Sequence, residues 1–280
     1  MSLGRIGAGG IACLLLAACS KADDSGETVF NLPTELTEVS GLAVAGPDSV
    51  FTHDDEFAIV YEIRLRDGKV LRAFAFGEPT LEGDFEGIAA AAGHVYLVTS
   101  DGLIYLAEPG VHGERVTFYV YDSGIGPRCE VEGLSLSPAP GELLLLCKRF
   151  RNDDDEARLE IHRWKTGSYR AEPEPFLSLP LAGLLGEAEQ VDFRPSSIEW
   201  DPRTRQMYVV SARNRMLVVL DAEGAPVETR RLDSSRHPNV EGIALMPDGR
   251  LVLADEGSET REGRLTVYEM VPDPASRNPT

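Results

Sequence analysis

One short pattern recurs five times along this chain and limits what it can fold into. An apolar residue or proline is followed by Glu or Ser, then Gly or Ser, then Ile or Leu at the head of a β-rich run. The copies read Val39-Ser40-Gly41-Leu42, Phe85-Glu86-Gly87-Ile88, Val131-Glu132-Gly133-Leu134, Pro195-Ser196-Ser197-Ile198 and Val240-Glu241-Gly242-Ile243. Measured from the second residue of each, successive copies stand 46, 46, 64 and 45 residues apart. A period in the forties with room for four strands per unit is the signature of propeller blades, and no helical period of comparable strength competes with it.

The stretch from Asn239 to Met270 shows what one unit contains. Val240 and Gly242 to Leu245 form an apolar run, Pro247-Asp248-Gly249 a tight turn, Leu251 to Ala254 a second run, and a loop leads to a third strand at Arg264 to Met270. The first unit reads as four strands, Ser40 to Ala45, Ser49 to His53, Ala58 to Leu65 and Lys69 to Phe76; the second closes with an outer strand over Arg115 to Tyr121. The expected fold is therefore an all-β propeller of five four-stranded blades over residues 28–271, with six blades as the alternative suggested by the long third interval. That interval holds the charged run Arg151 to Glu156 and the segment Leu181 to Gln190, so an insertion into one blade accounts for it. The last blade has three strands before Pro272-Asp273-Pro274. Thr28 to Pro33 resembles the outer strand Phe176 to Pro180, and should supply the missing strand and close the ring.

Residues 1–18 read as an export signal: Arg5, an apolar core ending Leu14-Leu15-Leu16, then Ala17-Ala18-Cys19, too short and Gly-rich for a spanning helix. The end of the signal resembles the bacterial lipobox, which implies cleavage before Cys19 and lipidation of that cysteine. An ordinary secretory signal with a coincident cysteine is the alternative. Ser20 in place of Asp after the lipidated residue implies the outer rather than the inner membrane of a Gram-negative envelope, with the protein facing the periplasm. Residues 19–27 are polar and aperiodic, a flexible tether, and residues 272–280 a disordered tail. The formal charge of −19 repels nucleic acid and anionic lipid, so nucleic-acid binding is disfavoured and membrane attachment falls to the lipid on Cys19.

With Cys13 in the signal and Cys19 at its end, Cys129 and Cys147 remain, at the start of the third unit's inner strand and the end of that strand's hairpin partner. In an oxidising compartment an isolated pair suggests a disulfide; two buried thiols are the alternative, and no His or Cys stands at zinc-ligand spacing from them.

The blade openings resemble those of the SdiA-regulated family, secreted or membrane-attached bacterial propellers, over about Leu32 to Met270. Gluconolactonase-like and phytase-like propellers show related openings. The resemblance implies the propeller fold and an envelope location, and brings no activity with it.

In a propeller the innermost strands line a central channel, so the five repeat positions should converge at one mouth: Glu86, Glu132 and Glu241 with Ser40 and Ser196. Three carboxylates around one axis require a counter-charge. A Ca²⁺ ion, which oxygen ligands suit, is one candidate, and Lys148 or Arg213 reaching across the channel is another. His53, Asp54 and Asp255 end neighbouring second strands and complete the expected ligand-binding rim. The run Asp153-Asp154-Asp155 lacks the alternation and Gly of a Ca²⁺ loop and reads as a solvated loop. No G-x-S-x-G, P-loop or dinucleotide-binding fingerprint is present. Two function classes follow. One is a binding or scaffolding propeller for a small-molecule or protein ligand; the other is a metal-dependent hydrolase of the lactonase or phosphoesterase kind.

Overall fold

A computed structural model describes residues 26–151, 157–186 and 192–269. The export signal, Cys19, most of the tether, Asp153 to Asp155 and the C-terminal tail lie outside the described residues. Among the described residues no helix is long and apolar enough to cross a membrane.

Five sheets, antiparallel except for one short parallel pair, make five blades in a ring. Their innermost strands are Val39–Gly46, Phe85–Ala91, Cys129–Leu136, Ser197–Asp201 and Val240–Leu245. Each packs against the innermost strand of the next blade, and the fifth packs back against the first. The fifth blade is completed by Glu27–Asn31, which pairs antiparallel with Arg264–Tyr268 in the register Glu27↔Tyr268 to Asn31↔Arg264. The N-terminal segment thus closes the ring as the sequence predicts, and the 64-residue interval is one enlarged third blade rather than a sixth.

The sequence of the middle strands explains the packing. Leu143-Leu144-Leu145-Leu146 and Met207-Tyr208-Val209-Val210 are buried throughout rather than on alternate residues. Alternate side chains of such a strand enter different seams: Leu144, Leu146, Met207 and Val209 share the core between the third and fourth blades. Leu143 and Leu145 face the second blade, and Tyr208 and Val210 face the fifth. A strand covered on both faces reads as a continuous apolar run, as these do.

The second blade departs from expectation. Its outer strand is Tyr119–Asp122 alone, while Arg115–Val116 crosses to the first blade and pairs in parallel with Ala75 and Phe76. Apolar burial accounts for the crossing. Val116 enters the core between the first two blades, and the Phe118 ring stacks 6.3 Å from that of Phe76.

Candidate functional site

The repeat position is a β-bulge in four of the five blades. Glu86 is unpaired between Phe85↔Thr99 and Gly87↔Val98, and Glu132 between Val131↔Cys147 and Gly133↔Leu146. Glu241 is unpaired between Val240↔Asp255 and Gly242↔Ala254, and Ser40 falls in the wider shift between Val39↔Asp54 and Leu42↔Thr52. A bulge re-aims its extra residue, here at the mouth of the channel. The following glycine has a separate cause: a Cβ on Gly87 would lie 2.7 Å from the backbone nitrogen of Leu134 in the next blade. The Glu-Gly pair therefore combines an aimed carboxylate with close approach between blades.

At this mouth Lys148 reaches in from the end of the second strand of the third blade and bonds Glu132 Oε1, with Glu130 Oε1 3.8 Å away. Glu132 is only 3% exposed, and its Oε2 is buried with no hydrogen-bond partner among the described residues. Ser40 Oγ donates to Glu86 Oε2 at 3.5 Å. Ser196 lines the same mouth and donates to the carbonyl of Val240 at 2.7 Å, tying two blades together. Glu132, Glu241, Lys148, Arg194 and Arg213 line a cavity of about 490 Å³.

Burial pushes the Glu241 carboxyl up to about 8, with Glu256 and Glu86 adding to the rise and Lys148 opposing it. Glu86 and Glu132 are raised in the same way, by burial first and then by neighbouring carboxylates. Lys148 keeps its charge: burial works against it, but Glu132, Glu86 and Glu241 hold its amine above the usual range. One ammonium thus faces three carboxyls, and the group retains protons around neutrality that a bound cation could replace.

The other expected rim residues are spread more widely. Arg213 lines the cavity and is ion-paired with Asp192, as is Arg194 at 3.1 Å. His53 lies fully buried beneath the mouth; Nδ1 meets the carbonyl of Asp54 at 3.0 Å, and burial lowers its pKa to about 4. Asp54 joins Asp55 and Glu38 in a trio whose ligand atoms lie within 4.8 Å of one another. Burial and these neighbours push Asp55 up to about 7, and its Oδ1 is buried with no hydrogen-bond partner among the described residues. Asp255 is buried and bonds His237 rather than the channel. Cys129 and Cys147 form the disulfide, which joins the two inner strands of the third blade and places Lys148 next to a cross-link.

At the opposite end of the channel the structure shows a carboxyl that the repeat pattern did not single out. Three residues beyond the mark the blades carry Ala43, Ala89, Ser135, Glu199 and Ala244. Glu199 accepts a hydrogen bond from Ser135 Oγ at 2.9 Å, and burial pushes it up to about 8. Its odd size in a ring of small residues was the available signal.

The family described as SdiA-regulated matches residues 186–278, which bears out the resemblance carried by the blade openings. Two solved structures share the fold. A luciferin-regenerating enzyme is 11% identical with a TM-score of 0.53, over 88% of this chain and 96% of that one. The PQQ-bound aldose sugar dehydrogenase of Streptomyces coelicolor is 13% identical with a TM-score of 0.52, over 87% of this chain and 98% of that one. At such identities the likeness is one of fold.

Proposed function

We propose that this propeller is a binding module of the cell envelope, tethered through a lipid on Cys19, whose channel mouth holds a cationic group of its ligand. The observation that carries the reading is Glu132: a buried carboxylate with one oxygen on Lys148 and the other without a partner among the described residues. An unsatisfied buried acceptor costs on the order of 1–3 kcal/mol, which a donor or cation placed there would recover. Glu86 and Glu241, whose protons burial retains, supply further negative charge when a cation displaces those protons. Both Ca²⁺, which takes oxygen ligands, and an organic ammonium suit this chemistry.

Thermal melting after dialysis against a chelator tests the reading, with CaCl₂ in one arm and spermidine in the other. Either cation should raise the melting temperature of the parent by mass action and leave Glu86→Gln/Glu132→Gln/Glu241→Gln unmoved. Equal responses of parent and triple variant to both cations would remove the site. A metal-dependent lactone or phosphomonoester hydrolase is the second reading, favoured by the Glu38, Asp54 and Asp55 trio, in which Asp55 Oδ1 has no hydrogen-bond partner among the described residues. Turnover that is lost on chelation and on Asp55→Asn would support it, and a blank screen of both ester classes with added metal would dismiss it.

A further inference from the structure

The end of the channel opposite the acidic mouth opens into a cavity of about 270 Å³. The repeat itself makes room for it. Converging strands ordinarily fill the space between them with bulky apolar side chains. Three residues beyond the mark, however, the first three blades carry Ala43, Ala89 and Ser135, all buried and all lining this cavity. Ile88, Ala90, Leu136, Trp200 and Met246 make much of the remaining wall. Leu136 is 40% exposed although it ends an innermost strand, so apolar surface runs from the cavity out to solvent.

Glu199 stands in this apolar wall and is 9% exposed. Ser135 Oγ accepts from the backbone N–H of Trp200 at 3.1 Å and gives its own proton to Glu199 Oε2 at 2.9 Å. The backbone N–H of Leu245 donates to the carboxyl as well. Both partners favour the ionised form, yet burial outweighs them and pushes the carboxyl up to about 8, so it keeps its proton at neutral pH. A protonated carboxyl has an O–H to give, and both of its partners are already giving.

The neighbouring charges decide what can take that proton. Asp201, on the same strand, is 1% exposed and held through both oxygens by Arg203, at 2.9 and 3.2 Å. Tyr208, opposite Glu199 in the register, gives its hydroxyl to Gln206. Arg203 is thereby neutralised, and an anionic ligand would find no counter-charge in the wall. An ammonium would bring three donors to one carboxyl and force it to ionise where burial opposes ionisation.

We propose that this cavity is a second binding site, which takes a small uncharged apolar molecule through one carbonyl oxygen, with Glu199 as the hydrogen-bond donor. The apolar body of the ligand lies against Ile88, Leu136, Trp200 and Met246.

The test titrates the full chain with 2-heptanone and follows tryptophan fluorescence. Trp200 lines the cavity, whereas Trp164 lies in the core between the second and third blades, so a saturable change reports this site. Affinity should fall about 10-fold from pH 7 to pH 9, as the neutral form becomes scarce for a carboxyl titrating at about 8. That result is read on the parent and is independent of whether any variant folds. Glu199→Gln keeps an N–H donor at every pH, so it should still bind, without the pH dependence. Ala90→Phe fills the cavity from a partly exposed position and should abolish binding while the melting temperature stays near that of the parent. Heptylamine should displace the ketone only at about 10-fold or more higher concentration. The proposal is overturned by the absence of a saturable change, by parent affinity that is equal at pH 7 and pH 9, by pH dependence that survives in Glu199→Gln, or by displacement with heptylamine at equal concentration.

Discussion

Replacing Glu241 by Gln should change how stability depends on pH, and the structure gives the sign and the size. The folded chain holds this carboxyl at about 8 against an ordinary value of 4.5, because it is buried among other carboxylates. Below the ordinary range both folded and unfolded chains carry the proton, and the stabilising contribution is full. As pH rises through the interval from about 4.5 to about 8, the unfolded chain has released the proton while the folded chain still binds it, so stability falls. At about 1.36 kcal/mol per pH unit this interval corresponds to at most about 5 kcal/mol, and relaxation of the site or entry of water reduces it to a few. Gln keeps the shape and cannot titrate, so the loss between pH 5 and pH 8 should be smaller in the variant by that amount. Urea unfolding of parent and Glu241→Gln at pH 5, 6, 7 and 8 measures the difference directly. Parallel stability curves, offset by a constant, would refute the claim that this carboxyl is forced to keep its proton, and with it the acidic character of the mouth.

Three further outcomes are expected. Replacing Cys129 and Cys147 together by Ser should cost on the order of 2–4 kcal/mol in urea unfolding, and reductant should lower the parent by a similar amount; two thiols that alkylate without reduction would contradict the cross-link. Deleting Glu27 to Asn31 uncovers the edge of Arg264–Tyr268, so the shortened chain should aggregate or melt well below the parent, and an unchanged melting temperature would count against ring closure. Cys19→Ser should move the protein from the membrane fraction to the soluble fraction or leave it unprocessed, since acyl chains supply membrane affinity at about 0.8 kcal/mol per buried CH₂; continued fractionation with membranes would count against the lipid anchor.

The ring was legible in the sequence because each blade solves the same packing problem and so repeats the same residues. Gly87 and Gly133 recur where the next blade's backbone passes close by. Runs such as Leu143 to Leu146 recur where a strand is covered on both faces. Closure by the N-terminal strand was legible for a related reason, since the fifth unit lacks one strand and an unpaired edge has to be covered. The crossing of Arg115–Val116 to the first blade was not, because pairing partners with three strands between them leave no local period, and burial of Val116 and Phe118 decided it.

The sites divide along the same line. Glu86, Glu132, Glu241 and Lys148 could be placed together because a bulge at one repeat position sends each glutamate to one mouth, and the register carries Lys148 opposite. His237, Asp255 and Tyr268, hydrogen-bonded in the seam between the fourth and fifth blades, could not, because they come from a connecting turn and two different strands, at unrelated positions within the unit. Repetition therefore reveals residues that act through the symmetry axis and conceals those assembled in a single seam. A seam is also where a repeat architecture can acquire polar residues at low structural cost. An axial side chain sits where the inner strands of all five blades converge, whereas Tyr268 and Pro226–Arg231 lie where only two blades meet. Propellers built of near-identical blades should on this argument carry their repeated polar residues at the axis and their idiosyncratic polar clusters between blades, as Glu86, Glu132 and Glu241 on one hand and His237, Asp255 and Tyr268 on the other are placed here.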